Sequence, residues 1–189
     1  MITEENIKEI PLTPFIMDMA KKRPTFTPNG NSYMGGGRQL EGNIGEVVVK
    51  EYLESLGLIV EFSGCYDWDL TAVQEDGTET RIDVKTKRRP NKWKKSDILY
   101  FEGSVQANSL DNLLSKQVDM YIFVNIGFDE KKQETTSAFI LGGILKDDFV
   151  SLATENKKGG YDGSNGLTFT GNNFNIFSKA LQPLYKERK

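Results

Sequence analysis

The stretch Trp68 to Arg89, WDLTAVQEDGTETRIDVKTKRR, decides how the rest of the chain is read. Strand-forming residues run from Trp68 to Gln74 and again from Thr78 to Thr86, and Asp76-Gly77 between them marks a hairpin. Side chains alternate faces along a strand. Asp83 and Lys85 therefore point the same way, about 7 Å apart, while Ile82, Val84 and Thr86 form an apolar floor on the other side. Loop length then sets the register. A two-residue Asp76-Gly77 loop pairs Asp69 with Val84 and turns the two acids to opposite faces. A three-residue loop, Glu75-Asp76-Gly77 with Gly77 left-handed, sets Asp69 across from Asp83, about 5 Å away. The three-residue register is the one expected here. Carboxylates that close repel each other unless a cation sits between them. Taken alone, Asp-x-Lys also fits an exposed strand carrying a local ion pair.

Upstream of the hairpin, Leu40, Ile44, Val47, Val48, Tyr52 and Leu56 recur at three- and four-residue steps, which predicts a helix over Arg38 to Leu56 stopped by Gly57. Gly42 and Gly45 inside it each weaken helicity by roughly 1 kcal/mol relative to alanine, so something is expected to pack closely against it. Glu46 reads either as a surface acid on the helix flank or as a sheltered one that needs a partner. Leu58 to Phe62 is a further strand. Beyond the hairpin, the pattern predicts a helix over Val105 to Gln117 and a doubly buried strand over Asp119 to Ile126. A strand over Thr136 to Leu141 and a short helix over Leu145 to Leu152 follow. Asn156 to Asn175 is expected to be loop with one strand, and Phe177 to Tyr185 to close the domain. Residues 1–37, interrupted by Pro11, Pro14, Pro24 and Pro28, by Asn29-Gly30-Asn31 and by Gly35-Gly36-Gly37, read as an irregular arm with a short helix near Phe15 to Lys21. The expected architecture is α/β: one domain over 38–189, with a core over about 38–126 and a C-terminal extension over 127–189, built on a central mixed sheet flanked by helices.

Composition narrows the chemistry. A length of 189 residues suits one domain. Histidine is absent, which removes Ser-His-Asp and Cys-His nucleophiles and His-ligated metals. The single cysteine, Cys65, has no internal disulfide partner and reads as an inert thiol in a reducing compartment. No apolar run approaches the roughly 20 residues of a membrane span, and the acidic start lacks a secretory layout, so a cytoplasmic protein is expected. The net charge of −3 hides a local reversal. Arg81, Lys85, Lys87, Arg88, Arg89, Lys92, Lys94 and Lys95 crowd one window against the single acid Asp83, placing phosphate-binding charge beside the carboxylates. Trp93 within it either stacks on a base or caps the core.

Glu46 on a helix, Asp69 on one strand and Asp83-x-Lys85 on the next resemble the PD-(D/E)XK nuclease superfamily, which includes restriction endonucleases, Holliday-junction resolvases and many phage-borne nucleases. The resemblance covers roughly Gly36 to Ile126 and includes an αβββαβ element order. IDVKTKRR followed by YFEGSVQA and DMYIFV is similar to small phage-type members. One departure is that Trp68, not proline, precedes Asp69, which leaves Asp67 as a rival.

The resemblance implies a restriction-endonuclease-like core and a Mg²⁺-dependent deoxyribonuclease, with Mn²⁺ as substitute, in a bacterial or phage-infected cell. Whether it would act as an endonuclease or an exonuclease, and whether its substrate would be a branched or recombination intermediate, stays open. Catalysis would fall to Glu46, Asp69, Asp83 and Lys85. The metal would sit on Asp69, Asp83 and the Val84 carbonyl, with Glu46 direct or through water. DNA would be gripped by Lys87, Arg88, Arg89, Lys92, Lys94 and Lys95, with Gln106 as a helper at the start of the second core helix. Gln117 and Tyr121 match a Q-x-x-x-Y spacing of one branch. Cutting both strands would favour a two-fold homodimer. The alternative reading is a DNA-binding accessory module that kept this fold and lost catalysis.

Overall fold

The computed structural model describes residues 2–23, 37–65, 67–90, 97, 102–129, 131–132, 134–162, 167–169 and 171–184. Strand β1 (Lys8–Pro11) and helix α1 (Pro14–Lys22) lead into helix α2 (Gly37–Ser55). Strands β2 (Ile59–Phe62), β3 (Leu70–Val73) and β4 (Glu79–Pro90) follow, then β5 (Glu102–Gln106), α3 (Leu110–Ser115), β6 (Met120–Asp129), β7 (Glu134–Leu145) and α4 (Lys146–Leu152). Short strands β8 (Thr154–Asn156), β9 (Tyr161–Asp162), β10 (Leu167–Thr168) and β11 (Asn173–Phe177) complete the chain.

The main sheet has six strands in the order β1-β7-β6-β4-β3-β2. Every neighbouring pair is antiparallel except β4 and β6, which run parallel. A parallel pair needs a crossover, and the segment carrying β5 and α3 supplies it. β6 lies inside the sheet with Tyr121 to Gly127 all buried, as its unbroken apolar run requires. On one face, Ile44, Val47 and Val48 of α2 pack with Ile82, Val84, Ile122 and Val124, joined by Ile16 and Ala20 of α1. On the other, Val105, Leu113, Phe149, Phe174 and Ile176 pack against Tyr121, Phe123, Phe139 and Leu141. That second layer contains a three-stranded sheet in the order β5-β11-β8. Each fully buried aliphatic or aromatic side chain contributes about 1.5–3 kcal/mol, so two such layers hold β4 and β6 in fixed positions.

Several expectations from sequence need correction. The N-terminal segment is not irregular over its described part: β1 pairs with β7 from Lys8↔Ile140 to Pro11↔Ser137, and Ile2, Ile7, Ile16 and Ala20 are buried. Pro11 is tolerated because β1 is an edge strand, and α1 starts where Thr13 Oγ1 accepts from the Ile16 amide at 3.3 Å. Residues 24–36 lie outside the described set. The expected helix over Val105 to Gln117 is instead β5 followed by the shorter α3. Gly103 and Val105 are buried in strand alternation, and Ser109 Oγ caps α3 by accepting from the Asn112 amide at 3.2 Å. Gln106 accordingly ends a strand and does not begin a helix. The stretch Asn156 to Asn175, expected to be loop with one strand, instead carries β9, β10 and the start of β11. Among the described residues, no helix is long and apolar enough to cross a membrane.

Candidate functional site

The β3–β4 hairpin closes with the three-residue loop. The Gln74 amide donates to Thr78 O at 3.0 Å, and Gly77 adopts φ 83°, a backbone conformation that favours glycine. Asp76 Oδ1 accepts from the Thr78 amide at 2.9 Å and stiffens the turn. The pairing runs Val73↔Glu79, Ala72↔Thr80, Thr71↔Arg81 and Leu70↔Ile82. The regular ladder ends there: the Asp69 amide donates to Ile82 O at 2.8 Å, which brings Asp69 beside Asp83 at the end of the pairing. The Asp69 carboxylate accepts from the Val84 amide at 2.7 Å, and Asp69 shares a hydrogen bond with Asp83. The rival Asp67 is exposed.

Asp83 is only 4% exposed and is met by two lysines. Lys85 Nζ donates to Oδ1 at 2.5 Å, and Lys116 Nζ, just past α3, lies 3.6 Å from Oδ2. Burial works to raise the Asp83 carboxyl, but Lys85, Lys116 and the hydrogen bond from Asp69 outweigh it and hold the group below its ordinary value. Asp69 goes the other way. Burial, then the charges of Asp83 and Glu46, push it up to about 8. The lysines also diverge. Burial opposes the charge on Lys85, yet Asp83 and Asp69 keep its ammonium above the usual range; burial and the neighbouring Lys85 bring Lys116 below it. Two acids and two amines in one cluster thus have their proton affinities pushed apart, a pattern suited to proton handling.

Glu46 acts on this cluster through its charge but makes its own ion pair elsewhere. Its carboxylate pairs with the Arg23 guanidinium, which lies 3.9 Å from the centroid of the Phe62 ring. Both side chains are largely buried, at 13% and 10% exposure, and burial raises the Glu46 carboxyl. Asn43 Nδ2 donates to Ala20 O at 2.9 Å, fixing the end of α1, and so Arg23, against α2. Close packing explains one of the two helix glycines. A Cβ at Gly45 would lie 2.0 Å from Thr86 Oγ1, whereas one at Gly42 would meet nothing within 4 Å.

The basic residues of β4 are divided between the two faces of the sheet. Lys87 Nζ donates to Glu102 O at 2.9 Å and to Ser104 Oγ at 2.7 Å, joining β4 to β5. Arg88 lies 3.3 Å from Glu41 and 4.2 Å above the Phe128 ring. Arg89 is half-buried. Lys92, Trp93, Lys94 and Lys95 lie outside the described residues. Tyr121 pairs in register with Asp83, and its buried hydroxyl has no hydrogen-bond partner among the described residues. Gln117 is exposed, so the Q-x-x-x-Y spacing brings only its tyrosine to the site.

Sequence reading missed Arg23 and Lys116. A basic residue just past the end of a helix is a weak signal, and only the fold carries either one to its acid. Among the described residues, no group of three or more acidic or thiol side chains is gathered tightly enough to hold a metal ion. A hard ion still suits the residue types there: two neighbouring carboxyls and no histidine, with burial and then the charges of Asp83 and Glu46 raising Asp69. Glu46 is paired with Arg23, so an ion bound to it directly would have to displace that guanidinium.

No protein-family model matches the chain, and no curated protein matches it. Among solved structures, a bacterial homing endonuclease, I-Ssp6803I, is similar over 82% of this chain and 83% of that one, with 14% identity and a TM-score of 0.37.

Proposed function

We propose that the chain is a metal-dependent nuclease that hydrolyses phosphodiester bonds in DNA at Asp69, Asp83 and Lys85. The observation that carries this reading is that Asp69, whose carboxylate accepts from the Val84 amide, lies beside Asp83, with Lys85 bonded to Asp83 on the basic strand β4. The arrangement fits the PD-(D/E)XK resemblance of the sequence, and the homing endonuclease similarity stands beside it without adding weight. Asp69 and Asp83 would hold Mg²⁺, with the Val84 carbonyl alongside and Glu46 acting through water. When bound, such an ion lowers the pKa of water and offsets charge on the phosphorus oxygens.

The chain's own residues do the rest. Lys85, kept charged by Asp83 and Asp69, orients the attacking water and stabilises the charge that develops on the phosphate. Lys116 can give up a proton more readily, because burial and the neighbouring Lys85 weaken its hold on one. Arg88 and the remaining cations of the basic window attract the backbone electrostatically. Cleavage of labelled DNA with Mg²⁺ or Mn²⁺ tests the reading. Asp83→Asn and Lys85→Ala should each abolish it while circular dichroism stays native, and full activity in both variants overturns it.

One observation favours a second reading, a DNA-binding module without catalysis. Lys85 and Lys116 on Asp83, and Arg23 on Glu46, already balance these acids without a metal. Salt-sensitive DNA affinity with no metal-dependent cleavage is the result that selects it.

A further inference from the structure

We propose that the groove beside Asp83 receives an unpaired nucleotide and reads the edge of its base with side-chain amides. The groove has a volume of about 630 Å³ and is lined by Asp67, Gln106, Asn112, Lys116, Lys158 and Asn172, among others. That volume falls within the roughly 300–1,000 Å³ of ligand clefts. Its walls come from separate stretches of chain: the approach to β3, the connection from β5 through α3, and the C-terminal extension. They are tied together by Asn172. Its Nδ2 donates to Asn108 O at 2.7 Å, and its Oδ1 accepts from the Lys158 amide at 2.8 Å. Asn112 sits in the first turn of α3, where its backbone amide donates to Ser109 Oγ at 3.2 Å and its Oδ1 accepts from the Ser109 hydroxyl at 3.0 Å, leaving Nδ2 to face the groove.

Two features identify the occupant. Lys116 belongs to both places, lining the groove and approaching Asp83, so it connects whatever lies in the groove to the acid pair. The lining also carries the carboxamides of Gln106, Asn108, Asn112 and Asn172, against two lysines and the carboxylate of Asp67. A groove for phosphate alone needs cations. Carboxamides present a donor and an acceptor side by side, which matches the edge of a nucleobase. A concave groove admits that edge only when the base has left the helical stack. The inference rests on the nuclease reading for why a strand lies at Asp83, but base binding is measurable without catalysis.

The test uses the full chain in chelator at low salt. Fluorescence anisotropy compares a short single-stranded oligonucleotide with an abasic one of the same length and the same number of phosphates. The wild type should bind the base-bearing strand at least about fivefold tighter. Gln106→Ala combined with Asn112→Ala, both at exposed positions, should bring the two affinities together with an unchanged melting temperature. Equal affinities in the wild type, no binding of either strand, or a preference that survives the double substitution each overturn the proposal. Loss of metal-dependent cleavage with the preference retained removes the catalytic reading and leaves the groove. Cleavage without any preference removes the groove and leaves the catalytic reading.

Discussion

Lys116 reaches Asp83 from just beyond helix α3, with Nζ 3.6 Å from Oδ2, while Lys85 from the same strand as Asp83 holds Oδ1. One acid therefore carries two cations from different layers of the fold. A divalent ion at Asp83 has to compete with both. Lys116 is the weaker competitor by distance and by its lowered proton affinity. Lys116→Gln should tighten Mn²⁺ uptake by about tenfold, read by titration calorimetry, because a neighbouring positive charge is gone. Unchanged or weaker uptake would show that Lys116 does not oppose the ion.

Asp69 gives the site a pH dependence with a definite sign. Its folded-state carboxyl is raised to about 8, above its value of about 3.9 in an unfolded chain. Over that interval the folded protein binds more protons than the unfolded one, so stability falls as pH rises from about 4 to about 8. Asp69→Asn keeps the shape and removes the proton. The melting temperature of the wild type should therefore drop more steeply between about pH 5 and about pH 9 than that of the variant. Parallel profiles would place the titration elsewhere.

How much of this was readable beforehand depended on whether the determinant was local. The three-residue loop that brings Asp69 near Asp83 follows from a turn of known geometry, in which Gly77 takes the positive φ that such a loop demands. The α2 stripe was legible for the same reason: its period lies within one element. Val105, Leu110, Leu113 and Leu114 mimic helical spacing, but Ser109 cuts that run, and tertiary burial of Gly103 and Val105 draws the first part into a strand. Arg23 and Lys116 were invisible as site residues because nothing near them in sequence names the acids they meet. β1 was obscured by its prolines, which an edge strand accepts.

Arg23 and Glu46 form the most buried ion pair of the site's surroundings. Removing one partner leaves a largely buried charge without its counterpart. Arg23→Ala should cost about 3 kcal/mol of stability in urea unfolding, part of it from lost stacking on Phe62. Adding Glu46→Gln to that variant should recover part of the loss, since the uncompensated charge disappears with it. A double variant no more stable than Arg23→Ala would mean that packing, not charge, accounts for the effect.

The two glycines of α2 separate helix propensity from packing. Gly42 faces open space, so Gly42→Ala should raise stability by up to about 1 kcal/mol through propensity alone. Gly45 faces Thr86, whose hydroxyl lies where the new methyl would go, so the same change should lower stability by about 1–3 kcal/mol by forcing α2 away from β4. Because that displacement acts through Thr86, Gly45→Ala in a Thr86→Ala background should be milder than in the wild type, measured as a coupling energy from urea unfolding. Additive effects would instead locate the strain outside the α2–β4 contact. The same variant links packing to chemistry, since Glu46 follows Gly45 on α2 and Lys85 precedes Thr86 on β4. A loss of cleavage in Gly45→Ala that Thr86→Ala restores would show that this contact sets the spacing between Glu46 and the Asp69–Asp83 pair.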